Sequence, residues 1–243
     1  MLVERGLAES RTRAQALVLA GSVYSGEQRL EKPGQQVDAS MALKVRGRDH
    51  PWVSRGGVKL DHGLDHFAIE VAERTCLDIG ASTGGFTHVL LSRGVASVYA
   101  VDVGRGQLDW TLRRDPRVVS LERTNARHLI SEQIPEAPAI ITCDASFIGL
   151  RTVLPAALAL AAPGCVLVAL IKPQFEVTRD QVGKGGVVRD PALHQEVCRE
   201  ISGWLAGKAG WRELGLTKSP LKGPRGNTEY LIAAVLDDGN GEN

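Results

Sequence analysis

From residue 75 onward, apolar residues gather in short runs, at 75–79, 97–101, 118–121, 139–143 and 166–171, each rich in β-branched or aliphatic side chains. Helix-like segments separate most of them. Strands that read this way are buried on both faces by crossover helices, so the pattern predicts a mainly parallel sheet in an α/β fold. A long amphipathic stretch over 191–207 predicts a helix, and 213–216 and 230–236 predict a closing pair of strands.

The first fifty residues follow a different pattern. Leu7, Ala14, Leu17 and Val18 lie on one side of a helix expected over 6–20, with Ser10 as its cap, Arg11, Arg13 and Gln15 on the polar side and Gly21 as its stop. Residues 22–27 read as a strand entering a turn, and 42–46 alternate apolar and basic side chains like a strand with one wet face. Residues 47–52 combine glycine, charge, His50 and Pro51. The expected organisation is a small α+β unit over 1–48, a linker at 49–54, an α/β domain over 55–237 and a frayed acidic, Gly-rich tail at 238–243.

Composition narrows the class. Of 243 residues, 43% are apolar and 23% charged, which excludes a disordered or fibrous chain. The formal net charge of +1 means that any nucleic-acid surface must be local. Residues 152–171 are uncharged, but Pro155 and the Pro163-Gly164 pair break them, so a buried helix and strand are expected in place of a membrane span. No long apolar segment opens the chain, and a cytoplasmic location is expected. Cys76, Cys143, Cys165 and Cys198 form no CxxC pair and read as reduced, buried thiols. His62 and His66 stand four apart beside Asp61 and Asp65, a zinc-like spacing. Gly63 weakens that helix and no third ligand is apparent, so an exposed helix face is expected and no metal.

The chemistry concentrates at strand ends. Residues 76–79 read as a strand ending in a glycine turn, Gly80, Ala81, Ser82, Thr83, Gly84, Gly85, that opens a helix at Phe86. Such a turn lets a ligand approach the backbone and leaves helical N–H groups free to donate. The nicotinamide fingerprint would need glycine at position 82, where serine stands, so a pyrophosphate ligand is disfavoured. Asp102 ends the next strand about twenty residues on, where a carboxylate accepts both hydroxyls of a ribose. Together they fit S-adenosylmethionine, which has a ribose and no phosphate. Asp144 and Lys172 each follow a strand, Lys59 precedes the first one and Glu229 enters the last. Two lysines and two carboxylates in one pocket would let one lysine be held partly desolvated, with a lowered pKa, while the acids aim it.

The segments at 53–57 (VSRGG), 77–87 (LDIGASTGGFT), 121–127 (LERTNAR), 172–177 (KPQFEV) and 183–191 (GKGGVVRDP) resemble the TlyA family, over residues 52–236. That family consists of ribosomal RNA cytidine 2'-O-methyltransferases, historically called haemolysins. The resemblance implies an N-terminal S4-like RNA-binding domain and an FtsJ-type, Rossmann-like methyltransferase domain. It implies a tetrad of Lys59, Asp144, Lys172 and Glu229. It also implies S-adenosylmethionine held by Gly80, Ala81, Ser82, Gly84, Gly85 and Phe86, by Asp102 and Val103, by Asn125 and Ala126, and by Asp144. The usual Arg-Leu-Asp opening is missing, and Val23-Tyr24-Ser25-Gly26 replaces the family's Val-Asn-Gly or Ile-Asp-Gly turn, so the first domain is expected to be truncated at its start. The short ends resemble the TlyA type associated with the large subunit alone.

A ribose 2'-hydroxyl is a poor nucleophile at neutral pH and must be positioned and relieved of its proton. Lys172, steered by Asp144 and Glu229, is expected to contact it as base or as fixed positive charge, with Lys59 on the ribose or phosphate. Arg11, Arg13, Lys32 and Arg55 are the expected RNA contacts, to 23S or also 16S RNA within ribosomal subunits, by a monomer that needs no membrane. Phe147 reads equally as a wall of the adenine pocket or as core, and Trp52 as stacking on RNA or on the other domain. Two rivals remain: a membrane-lytic toxin, which the haemolysin label invites, and an RNA-binding protein that keeps the fold without catalysis.

Overall fold

In the computed structural model, which describes residues 1–8, 10–19, 21–38, 40–45 and 50–238, the chain opens with a small α+β unit. Helix α1 (Arg11–Leu19) starts later than the pattern predicts, because residues 1–7 close into turns, with Leu7 N bonded to Leu2 O at 2.9 Å. Ser10 caps it as expected: its Oγ accepts from Arg13 N at 3.1 Å. Strands β1 (Val23–Ser25), β2 (Gln28–Arg29) and β3 (Lys44–Val45) form an antiparallel sheet in the order β2-β1-β3. Val18, Val23 and Leu30 are its buried core. Residues 46–49, which hold the end of the expected third strand and the first residue of the expected linker, and 239–243 of the expected tail lie outside the described residues.

Helix α2 (Gly56–His66) leads into β4 (Thr75–Ile79), α3 (Gly85–Ser92), β5 (Ser97–Asp102), β6 (Val118–Glu122), β7 (Ile140–Cys143) and β8 (Val166–Ile171). Helix α4 (Pro191–Ala206), β9 (Trp211–Lys218) and β10 (Tyr230–Leu236) follow. The strands build one sheet in the order β6-β5-β4-β7-β8-β10-β9. The first five are parallel, and β10 inserts antiparallel between β8 and β9. Strand alternation supplies both faces. Cys76, Val98, Val168 and Leu231 point toward α2 and α3, where Leu60, Leu64, Val89 and Leu90 meet them. Leu77, Tyr99, Leu167 and Ile232 point the other way, toward Val197, Ile201 and Leu205 of α4. Burial of both faces explains why the runs are apolar without alternation. The edge strand β9 is longer than its pattern shows, because Arg212 and Lys218 face solvent and interrupt its apolar signal.

The uncharged stretch divides as its prolines require: two one-turn helices, Leu150–Val153 and Pro155–Leu158, precede β8. Among the described residues no helix is long and apolar enough to cross a membrane. All four cysteines are free and buried. His62 and His66 stack at 5.8 Å, but Asp61 and Asp65 both pair with Arg93 at 2.6 Å, and no cluster suited to a metal occurs among the described residues. Trp52 is partly buried, packs edge-on to His88 at 5.5 Å and covers the bare backbone of Gly57, contacts within the methyltransferase domain.

Candidate active site

Strand order reverses between β4 and β7: the chain steps outward one way through β5 and β6, then the other way through β8. Ligands of open α/β sheets bind at the carboxyl ends of the strands beside such a reversal. Here those ends carry Gly80 and Asp144. Gly80 has φ +77, and a Cβ there would lie 2.9 Å from Ala145 N, so glycine is required for the two strand ends to close together. The turn beyond it is tied to the next strand: Gly80 N and Ala81 N both donate to Val101 O, at 2.9 and 3.1 Å. Ser82 N donates to Asp102 Oδ2 at 2.9 Å, and Gly104 N to Asp102 Oδ1 at 2.6 Å. Asp102 is thus fixed beside the glycine turn, and Val103 is 72% exposed next to it. Thr124 N bonds Asp102 O at 3.0 Å, which brings Asn125 to the same rim, where its side chain caps the turn Ala126–His128.

Two members of the expected cofactor set answer to packing instead. A Cβ at Gly84 would run into Leu108 and Leu112, and Phe86 is only 2% exposed within the core, although its edge reaches the cleft. Gly85 does both: it lines the cleft and lets the start of α3 press against Ser54 and Gly57. Ala126 is turned into the core, which leaves only its backbone to the rim.

The cleft continues from Gly80, Ala81 and Ser82 to Lys59, Asp144, Lys172 and Glu229, so all four expected tetrad residues meet in one space. They form two pairs. Lys59 Nζ donates to Glu229 Oε2 at 2.5 Å, with both groups buried. Lys172 Nζ lies 2.5 Å from Asp144 Oδ1 and donates also to Ser146 Oγ at 2.9 Å and Asp144 O at 3.2 Å. Its three protons therefore have three acceptors. Burial alone would push the Lys172 ammonium down, but the carboxylates of Asp144 and, behind it, Glu229 hold it above the ordinary lysine value. The expectation of a lowered pKa is thereby corrected: this lysine stays charged. Asp144 Oδ2 has no hydrogen bond among the described residues and stays an open acceptor, whereas Glu229 Oε1 is buried without a partner against Gly223.

Sequence reasoning missed Asp78 and Ser146. Asp78 is fully buried mid-strand, bonded by Thr87 Oγ1 at 2.6 Å and Thr142 Oγ1 at 3.0 Å, and burial pushes its carboxyl up to about 6. It ties β4, β7 and α3 together beneath the glycine turn, and an acid inside an otherwise apolar strand was the available signal. Phe147 is not core and does not line the cleft of the glycine turn: it is 91% exposed, with φ +66, and its ring centroid lies 5.2 Å from that of Phe175.

A model of the FtsJ-like methyltransferase family matches residues 52–236, from the end of the linker to the last strand. The chain belongs to that family. It is 51% identical over 232 residues to the 16S/23S rRNA (cytidine-2'-O)-methyltransferase TlyA of Mycobacterium tuberculosis, covering 95% of this chain and 86% of the relative. It is 40% identical to Hemolysin A of Brachyspira hyodysenteriae, over 95% of this chain and 96% of that one. A solved structure from Streptococcus thermophilus, 40% identical, matches with a TM-score of 0.77 over 98% of this chain and 86% of that chain. The methyltransferase fold and family expected from the motifs are thus correct.

The expected RNA contacts divide. Arg11 and Lys32 are exposed, and Arg55 lines the cleft. Arg13, its side chain 40% exposed, lies 3.9 Å from Asp109 in the connection between β5 and β6.

Proposed function

We propose that this chain transfers a methyl group from S-adenosylmethionine to the 2'-hydroxyl of a cytidine in ribosomal RNA. The observation that carries the reading is the continuity of the glycine-turn rim with the paired lysines and carboxylates in one cleft. The rim suits this cofactor chemically. Asp102 offers a carboxylate to ribose hydroxyls and would repel a pyrophosphate, and Val103 offers apolar surface to a base. When bound there, the cofactor supplies an electrophilic sulfonium methyl.

The chain's own residues then have separable tasks. Lys172, held charged, exchanges one of its acceptors for the ribose oxygen and stabilises negative charge developing on it. Asp144 Oδ2 accepts the hydroxyl proton as the new C–O bond makes that oxygen acidic. Lys59 and Glu229 form the far wall, where Lys59, aimed by Glu229, holds the sugar by a charge-assisted hydrogen bond. The exposed Phe147 ring, three residues beyond Asp144, offers a face on which a base can stack. The N-terminal unit, read as an S4-like RNA-binding domain, supplies Arg11 and Lys32 as phosphate contacts. Two relatives carry the activity in their names, the M. tuberculosis protein and the 23S rRNA (cytidine-2'-O)-methyltransferase TlyA of Campylobacter jejuni, the latter 38% identical over 190 residues.

Purified protein given methyl-labelled S-adenosylmethionine and isolated ribosomal subunits tests the reading. Label in ribosomal RNA is expected. Label confined to protein, or absent beside leakage of liposomes, would favour another activity.

A further inference from the structure

We propose that Arg29, Arg55 and Lys222 form a phosphodiester-binding subsite at the seam between the N-terminal sheet and the methyltransferase cleft, which seats the RNA backbone next to the target ribose. This inference rests on the RNA-methylating reading above and adds a contact that neither half of the chain makes alone.

The three cations come from three places, β2, the entry to α2 and the loop between β9 and β10, yet all line the cleft that holds Lys59 and Lys172. Gly21, at the end of α1, makes their approach possible. A Cβ on it would lie 2.7 Å from Arg55 Cδ and 3.3 Å from Arg29 Cδ, so both stems pass over one bare α-carbon and bring their guanidinium groups side by side. Arg55 Nη2 donates to a neutral acceptor, Lys222 O, at 3.1 Å, and Arg29 Nε is buried without an acceptor. Glu31, the nearby acid, spends Oε2 on Arg225 N at 3.0 Å. Among the described residues none of the three cations has a carboxylate within ion-pair distance.

The two neighbouring, partly buried guanidiniums repel each other, and although Glu31 and Glu229 offset part of this from a distance, burial together with the Arg29 charge still holds Arg55 below its ordinary value. A bound anion removes that conflict. Forked guanidinium donors match phosphate oxygens in particular. The position fits as well: the 3'-phosphate of a nucleotide is vicinal to its 2'-oxygen, so a cleft that methylates the oxygen must seat that phosphate within one sugar's reach.

The test uses the full chain and isolated large ribosomal subunits. Binding is measured across a salt series for the wild type, Arg29→Gln, Arg29→Lys and Lys222→Met, with cofactor affinity measured separately by calorimetry. Arg29→Gln is expected to weaken RNA binding about tenfold and to lower the slope of log K against log salt by about 0.7–0.9, whereas Arg29→Lys keeps the wild-type slope. Cofactor affinity is expected to stay within about twofold. Unchanged affinity and slope in both Arg29→Gln and Lys222→Met would overturn the subsite. So would a loss seen only in cofactor affinity, which would make the cluster a carboxylate clamp. Wild-type protein that binds RNA with the expected slope changes but transfers no methyl would leave the subsite standing and remove the methylation reading.

Discussion

The Lys59–Glu229 pair permits a test that separates holding the fold from performing the chemistry. The two groups lie 2.5 Å apart, with their side chains 10% and 0% exposed, and Glu229 packs directly on the backbone of Gly223, so no water takes the place of a lost partner. Removing one charge of such a pair leaves the other buried and uncompensated, at a cost of about 3–5 kcal/mol. For a chain of this length each kcal/mol lowers Tm by about 2–4 °C, so Lys59→Met and Glu229→Gln should each melt roughly 10 °C early. The double variant removes both charges and should recover most of that loss, because the desolvation cost disappears with the pair. Thermal unfolding of the four proteins gives the coupling, and methyl transfer measured below the lowest Tm gives the activity. Stability should return in the double variant while transfer stays lost. A double variant as unstable as the sum of the singles would refute the coupling, and one that methylates at the wild-type rate would remove the pair from the site.

Other consequences follow from single residues. Because Asp144 and Glu229 keep Lys172 charged, kcat should be flat from about pH 7 to 9 and fall only when the ammonium deprotonates above that range, since the raised value moves its proton loss upward. A profile that rises through pH 7–8 would instead mark Lys172 as a base. Asp102→Ala removes the acceptor of Ser82 N and Gly104 N as well as the ribose contact, and calorimetry should show cofactor affinity falling at least about 30-fold. Phe147→Ala should leave Tm unchanged, because the ring is exposed, while KM for the RNA substrate rises about tenfold through lost stacking.

Much of this was legible along the chain because local rules and the fold agree. The buried runs announced the parallel strands, Ser10 and Gly21 bounded the first helix, and the glycine turn with Asp102 marked the rim. The antiparallel insertion of β10 was not legible, since apolar runs do not reveal direction. Nor was the charge state of Lys172. Spacing placed it beside a carboxylate, but the sign of its shift depends on a 2.5 Å contact and on competition between burial and charge. Phe147 escaped because exposure of an aromatic is decided by a local backbone turn at φ +66 and not by its neighbours in sequence. Arg29 and Lys222 escaped for another reason. Each lies in a polar stretch with no pattern; the close approach at Gly21 brings Arg29 beside Arg55, and the loop between β9 and β10 carries Lys222 there.

Nucleotide-resolution mapping of 2'-O-methyl groups, on ribosomal subunits incubated with cofactor and either wild-type protein or Lys172→Ala, tests the central claim most directly. The account predicts a new methyl on a cytidine 2'-oxygen with the wild type, and none with a Lys172→Ala protein that folds and still binds cofactor. A methyl on a base, or an undiminished 2'-O-methyl with Lys172→Ala, would contradict it.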